Sequence, residues 1–228
     1  MSKTLLVIDV QNDFCPGGAL AVSEGDQIIP AINGLMVGYD RVILTQDWHP
    51  KGHSSFASSH NSKAPLDMVE MPYGPQVLWP DHCMQGTFGA QLHADINQDA
   101  AALILRKGSN PLIDSYSAFF ENDHVTATGL HGYLQNCGVS ALDMVGLATD
   151  FCVNYSAVDA AKLGYSVRVL LGACRGIDVN GSLAAAQRDM RDAGVRLEAY
   201  YGLYRHPRLE SQIENRPDCT LIDRYGFL

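Results

Sequence analysis

The chain has 228 residues, of which 46% are hydrophobic, and its formal net charge at pH 7 is −9. A chain of this length can bury a sizeable core, so we expect one α/β domain over residues 1–228. The acidic balance and the lack of a basic block disfavour nucleic acid and a membrane surface as partners, and no apolar run reaches the roughly 20 residues that span a bilayer.

Six apolar runs predict β-strands. In chain order their sequences are TLLVIDV, RVILTQD, ALILRKG, ALDMVGL, SVRVLLGA and VRLEAY. Helical patterns lie between them, at residues 26–39, 128–136, 150–163 and 182–193. Most runs lack polar alternation, which is typical of strands covered on both faces. The alternation of strands and helices predicts an α/β fold, with a mainly parallel sheet of about six strands and helices on both faces.

Reactive side chains occur where four of these strands end. Asp9, Asp47 and Lys107 lie at the ends of the first three strands, and the turn at 148–152 follows the fourth. Ligands of open α/β sheets bind beyond the carboxyl ends of the strands. We therefore expect these groups to meet at one edge of the sheet.

Cys152 lies in the first turn of a predicted helix, directly after a strand. Free cysteines are often buried core residues, so a packing role is one alternative. At a helix N-terminus, however, the unpaired amides and the dipole stabilise a thiolate. With Asp9 as base and Lys107 as cation, Cys152 would complete a nucleophilic site.

The segment 48–89 interrupts the alternation of strands and helices. It holds both tryptophans, half of the ten prolines and four of the eight histidines. A loop of this length within a domain often carries function. Asp47, His49 and His82 suit one divalent metal ion, Zn²⁺ first, with Fe²⁺ or Mn²⁺ as alternatives. His53 is a possible fourth ligand. The alternative to a metal site is that these histidines are loop residues packed against Trp48 and Trp79.

The cysteines show no C-x-x-C pair, and we expect them to be reduced thiols in a cytoplasmic protein. They are Cys15, Cys83, Cys137, Cys152, Cys174 and Cys219. We expect the tail after Tyr200 to be a packing or contact segment.

Several stretches together resemble the nicotinamidase branch of the isochorismatase-like cysteine hydrolases. They cover the chain in order from Leu6 to the helix after Cys152, and they read VIDVQNDFCPGGAL, TQDWHPKGHSSFA, LWPDHCMQGTFGAQLH, RKGSNPLIDSYSAF and GLATDFCVNYSAVDA. The resemblance implies an isochorismatase-like sheet flanked by helices. It also implies a role for three sets of side chains: a catalytic triad (Asp9, Lys107, Cys152), metal ligands (Asp47, His49, His82) and substrate-ring contacts (Phe14, Trp79, with Tyr116 as a pocket neighbour).

The same resemblance implies a cis peptide at Leu147–Ala148, which would aim the amides of Ala148 and Cys152 at an oxyanion. The implied reaction is the metal-dependent hydrolysis of nicotinamide to nicotinate and ammonia through a thioester, with pyrazinamide as a second substrate. A homo-oligomer is left open. The alternatives are a related cysteine amidohydrolase for another small amide or carbamoyl compound, and an inactive metal-stabilised binding protein.

Overall fold

The computed structural model describes residues 3–199 of the chain. Eight strands occur in this part: β1 (Thr4–Ile8), β2 (Arg41–Asp47), β3 (Met68–Met71), β4 (Gly74–Val77), β5 (Ala101–Lys107), β6 (Ala141–Leu147), β7 (Ser166–Arg175) and β8 (Arg196–Glu198). The four α-helices in this part are α1 (Ile29–Met36), α2 (Leu130–Asn136), α3 (Asn154–Lys162) and α4 (Ser182–Asp192). Each predicted helix is present, although α1 is shorter than the pattern at 26–39 indicated.

Six strands form one sheet in the order β5-β2-β1-β6-β7-β8, and every neighbouring pair is parallel. All five residues of β1 are buried. Since successive side chains of a strand point to opposite faces, both faces of the sheet are covered at its centre. The predicted α/β architecture is therefore confirmed.

The edge strand β5 departs from the expected double coverage. Its residues alternate between half-buried and exposed, and Ile104 is 43% exposed. The run ALILRKG looks like a central strand because its exposed positions carry Ala102 and Ile104. An apolar sequence alone does not show that a strand lies at the edge of the sheet with one face exposed.

The strands β5, β2, β1 and β6 are consecutive neighbours in the sheet. Their carboxyl ends therefore lie side by side. Asp47 and Lys107 are direct partners in the β2–β5 pairing, while Asp9 directly follows β1 and the 148–152 turn follows β6. The predicted convergence of these four strand ends is what the sheet order produces.

A glycine allows β1 and β6 to approach each other near this edge. Gly146 has a φ of +119°, and a Cβ built on it would lie 2.1 Å from the carbonyl oxygen of Ile8. Neither the backbone conformation nor the space permits a side chain. Gly146 thus helps to set where the Cys152 turn begins relative to Asp9.

The 48–89 segment has more order than its sequence predicts. It contains the antiparallel hairpin β3–β4 and a short 3₁₀ turn at Ala57–Ser59. The hairpin was not predicted, because β3 is largely exposed and its sequence, MVEM, is short. Its neighbour β4 supplies a buried side chain, Gln76, to the site described below.

The single-domain prediction over 1–228 stays a prediction, because the described part ends at residue 199. Cys219 and the tail after Tyr200 also lie outside the described residues. The other five cysteines are free thiols, as expected. Within 3–199, no helix has the length and apolar character needed to cross a membrane.

Candidate active site

Three side chains from three strand ends meet in a buried cluster. The ammonium of Lys107 lies 2.9 Å from Asp9 Oδ2 and 3.5 Å from Cys152 Sγ. Asp9, Lys107 and Cys152 are 0%, 2% and 7% exposed. The structure therefore brings together the thiol, carboxylate and ammonium that the sequence predicted to converge.

Asp9 is held in place by its neighbour on β2. Thr45 Oγ1 donates a hydrogen bond of 2.5 Å to Asp9 Oδ1 and accepts one of 3.1 Å from the Asp9 amide. Asp9 also has a φ of +48°, a left-handed conformation that aspartate adopts more readily than most residues. This local geometry leaves Oδ2 facing Lys107.

Lys107 connects the Asp9–Cys152 pair to the metal-type residues. Besides Asp9, its Nζ donates to Asp47 Oδ1 at 3.1 Å and to the Ser115 carbonyl at 2.8 Å. Burial alone would lower the pKa of Lys107, but Asp47 and Asp9 outweigh it and hold that pKa well above its ordinary value. Lys107 is therefore a permanent positive charge between the two carboxylates.

The turn that carries Cys152 begins with a cis peptide between Leu147 and Ala148, as the resemblance implied. Residues Thr149–Val153 form a π-helical turn, in which the Val153 amide donates to the Ala148 carbonyl at 3.1 Å. The sequence predicted ordinary helix from residue 150. The wider turn precedes α3, and such π-helical turns are frequent at functional sites.

The titration of Cys152 differs from the sequence-based expectation of a stabilised thiolate. Burial raises the pKa of Cys152 well above its ordinary value, and the opposing effect of Lys107 does not compensate. Burial also raises the pKa of Asp9, although Lys107 and Thr45 act against it. These shifts favour a protonated thiol at Cys152, beside a carboxylate whose affinity for a proton is raised.

Asp47, His49 and His82 have the chemistry and orientation of metal ligands. Asp47 Oδ2 lies 2.9 Å from His49 Nε2 and 3.4 Å from His82 Nε2. The other ring nitrogens are 2.8 Å from the carbonyls of Gly108 and Pro80, to which each Nδ1–H donates. Backbone carbonyls that fix a histidine tautomer in this way are characteristic of metal sites, because they leave Nε2 free to bind.

Close packing at Gly108 fixes the position of His49. Gly108 has a φ of +68°, and a Cβ there would lie 2.6 Å from His49 Cε1. The charges are complementary as well. Burial lowers the pKa of His49, but Asp47 outweighs this effect and raises it to about 9. The residues therefore form a buried group that fits a divalent metal ion.

A second group of ligand-type side chains adjoins the first. Ligand atoms of His49, His53 and Asp114 all lie within 4.8 Å of one another. His53 Nδ1 accepts a hydrogen bond from the Ser55 amide at 3.2 Å. His53 is thus close to the predicted ligands. Asp114 was not predicted, although it stands in the family-like stretch RKGSNPLIDSYSAF.

Aromatic side chains line the pocket above Cys152. Phe14, Trp79 and Tyr116 all contribute to it, and Trp79 Nε1 donates to the Tyr116 hydroxyl at 2.9 Å. Phe151 packs edge-on against Trp79, with ring centroids 4.8 Å apart. The cavity has a volume of about 20 Å³, which is room for about one water molecule.

Two glutamines support this pocket, and sequence reasoning gave neither a role. Gln11 exchanges hydrogen bonds with the backbone of Asp47, at 2.7 Å to the amide and 2.8 Å to the carbonyl. Gln76, in the hairpin, donates to the Tyr116 hydroxyl at 2.8 Å and to Asp114 Oδ2 at 3.1 Å. Gln11 stands in a quoted motif, but Gln76 carries no comparable local signal.

A buried cysteine, lysine and carboxylate beside a group of metal-ligand type, at the carboxyl edge of a parallel sheet, is an arrangement typical of an α/β cysteine hydrolase. The chain belongs to the isochorismatase family, because the model of the Isochorismatase domain matches residues 3–198.

Named relatives are also similar over most of their length. A nicotinamidase of Acinetobacter baylyi is 54% identical over 192 residues, which cover 84% of this chain and 90% of the relative. A solved nicotinamidase/pyrazinamidase of Acinetobacter baumanii has a TM-score of 0.85 and 52% identity, covering 86% of this chain and 95% of its own. A pyrazinamidase of Pyrococcus horikoshii, solved in complex with zinc, has a TM-score of 0.69 and 33% identity, covering 88% and 100% of the two chains.

Proposed function

We propose that this protein is a hydrolase that converts nicotinamide to nicotinate and ammonia through a thioester on Cys152, and that it also accepts pyrazinamide. The observation that carries the proposal is the contact of Lys107 with both Asp9 and Cys152, beside the Asp47–His49–His82 group. The identity of 54% to a nicotinamidase over most of the chain supports the substrate.

The aromatic pocket suits a small planar ring. Phe14 and Trp79 would pack against the pyridine ring, while the Tyr116 hydroxyl accepts a hydrogen bond from Trp79. The pocket is narrow, and its wall consists mainly of apolar side chains. Leu20 and Phe151 belong to that wall.

Asp47, His49 and His82 would hold one divalent metal ion, and we propose Zn²⁺, with Fe²⁺ and Mn²⁺ as alternatives. When bound, such an ion supplies Lewis acidity and a fixed contact for a ring nitrogen. A pyrazinamidase of this fold has been solved with zinc. Asp47 and Asp9 contact the same ammonium, so an ion held by Asp47 would orient the ring close to the carbon that Cys152 attacks.

Formation of the thioester begins with proton transfer from sulfur to carboxylate. Asp9 accepts the Cys152 proton while Sγ attacks the carboxamide carbon, and the electron pair of the C=O bond moves to oxygen. The amides of Ala148 and Cys152 would donate to this oxyanion. Asp9 then gives its proton to the amide nitrogen, the C=O bond re-forms as the C–N bond breaks, and ammonia leaves.

Release of the acid uses the same carboxylate. Asp9 takes a proton from a water molecule while the oxygen of that water attacks the thioester carbon. The C=O bond opened by this attack re-forms as the C–S bond breaks, and sulfur recovers the proton from Asp9. Proton transfer of this kind typically contributes about 10²–10⁴-fold to a rate. Lys107 keeps its charge throughout and offsets the negative charge shared by Asp9 and Cys152.

The direct test is release of ammonia from nicotinamide by the purified protein, with pyrazinamide assayed in parallel. We expect both amides to be hydrolysed. Replacement of Cys152 by alanine should abolish turnover but leave bound metal and melting temperature close to those of the parent. Near-normal deamidation by Cys152→Ala would refute the covalent route, and inactivity of the parent on both amides would refute the proposed substrate class.

A further inference from the structure

The two groups of ligand-type side chains share His49. Its Nε2 lies 2.9 Å from Asp47 Oδ2 and 3.9 Å from Asp114 Oδ1. The other nitrogen of His49 donates to the Gly108 carbonyl. His49 therefore offers one nitrogen to a cation, and the two groups define a single site with Asp47 on one side and Asp114 on the other.

Asp114 is held in a fixed position by hydrogen bonds, as the predicted ligands are. Its carboxylate is 2% exposed and lines the same pocket as Cys152. Oδ2 accepts from Gln76 at 3.1 Å, and Oδ1 accepts from the Ser115 amide at 2.7 Å. These bonds leave acceptor capacity on Oδ1 toward His49, since a carboxylate oxygen accepts more than one hydrogen bond or contact.

His53 completes this side of the site. It is fully buried, and its ring lies 4.3 Å from that of His49, centroid to centroid. Because Nδ1 accepts from the Ser55 amide, Nε2 carries the hydrogen of the neutral ring. Among residues 3–199, no atom forms a hydrogen bond of normal geometry with this nitrogen.

The charges of the cluster favour a divalent cation when all three carboxylates are ionised. All three carboxylates are buried: Asp9 and Asp47 contact the ammonium of Lys107, and Asp114 lies 3.9 Å from His49. A histidine that binds a cation through Nε2 is neutral. With a neutral Cys152 thiol as well, the formal sum around a bound ion would be about −2, and uncompensated buried charge is costly. A divalent ion neutralises the cluster only if Asp114 is included in it.

We propose that Asp114 is an anionic member of the divalent-cation site, acting together with Asp47, His49 and His82; this inference rests on the metal site of the proposed function. The competing explanation is that Asp114 only shapes the chain, because it binds the Ser115 amide and the Ser115 carbonyl accepts from Lys107. The two explanations differ in whether the charge or the shape of residue 114 matters.

The experiment is competition for Zn²⁺ between the protein and a chromogenic chelator. Asp114→Asn keeps the shape and an oxygen acceptor but removes the charge, whereas Asp114→Glu keeps the charge and disturbs the turn. Asp81→Asn is the matched control, since Asp81 precedes His82 in sequence but is exposed. We expect Asp114→Asn to bind Zn²⁺ about 10–100-fold more weakly, with Asp114→Glu retaining most of the affinity and Asp81→Asn all of it.

The melting temperature of each metal-free variant is measured alongside. Equal Zn²⁺ affinity of Asp114→Asn and the parent would overturn the inference, as would an equal loss in Asp114→Glu and Asp114→Asn, which would identify a turn-shaping role. Failure of the parent itself to bind Zn²⁺ would overturn the metal part of the proposed function, and this inference with it. The two failures are therefore distinguishable.

Discussion

The hydroxyl of Thr45 lowers the pKa of Asp9, and its removal gives a quantitative prediction. Thr45→Val keeps the shape of the side chain but removes the 2.5 Å hydrogen bond to Asp9 Oδ1. A hydrogen bond to a charged group contributes about 1.5–3 kcal/mol. At 1.36 kcal/mol per pKa unit, the pKa of Asp9 should rise further by about 1–2 units.

The sign follows from the role of Asp9 as a base. Its pKa is already raised by burial, and Thr45 acts to lower it. Without the hydroxyl, Asp9 becomes protonated at a higher pH and loses its ability to accept the thiol proton. The acid limb of the kcat/KM profile for nicotinamide should therefore move up by about 1–2 pH units, while the pH-independent rate changes less.

The assay is ammonia release measured across about pH 4–9 for the parent, Thr45→Val and Thr4→Val. Thr4 is the matched control, because it is buried on the adjacent strand and its hydroxyl has no hydrogen-bond partner in residues 3–199. Its replacement by valine should leave the profile in place. If the acid limb of Thr45→Val coincides with that of the parent, Asp9 is not the group that this limb reports.

Three further predictions concern metal, charge and pH. Gly108→Ala should weaken Zn²⁺ binding by at least tenfold in a chelator titration, because a Cβ would lie 2.6 Å from His49 Cε1; unchanged affinity would show that this packing is unimportant. Lys107→Met should lower the free energy of unfolding by about 3–5 kcal/mol, because it leaves Asp9 and Asp47 buried without their cation. Denaturant unfolding measures this change, and a loss below about 1 kcal/mol would contradict the prediction. Burial raises the pKa of Cys174 from 9.0 to about 12, so its contribution to stability is complete below about pH 9 and is lost between pH 9 and 12. Over that window Cys174→Ala should lose less free energy of unfolding than the parent. Parallel curves of the free energy of unfolding against pH would disprove this.

The sequence predicted the sheet and the convergence of its strand ends, because both depend on features readable along the chain. Asp9, Asp47 and Lys107 each follow an apolar run, and the parallel order brings those ends together. The strand β5 was expected to be covered on both faces, since hydropathy does not distinguish an edge strand with apolar exposed positions. Strand order at the edge is a tertiary property.

The candidate site was predictable only as far as local motifs extended. The cysteine turn, the D-x-H pattern and the aromatic positions all stand in quoted stretches. Gln76 reaches Tyr116 from a hairpin 40 residues away in sequence, so no local pattern could indicate its role. The raised pKa of Cys152 was also missed, because it depends on how deeply the surrounding elements bury the thiol.

The ammonium of Lys107 serves two carboxylates from different strands, at 2.9 Å and 3.1 Å. Substitutions at Asp9 and Asp47 should consequently be non-additive, because loss of either carboxylate changes what the shared cation does for the other. A double-mutant cycle on these two positions would measure that coupling as a free energy. The carboxylate beside Cys152 and the carboxylate of the proposed metal site should therefore respond to substitution as one coupled group.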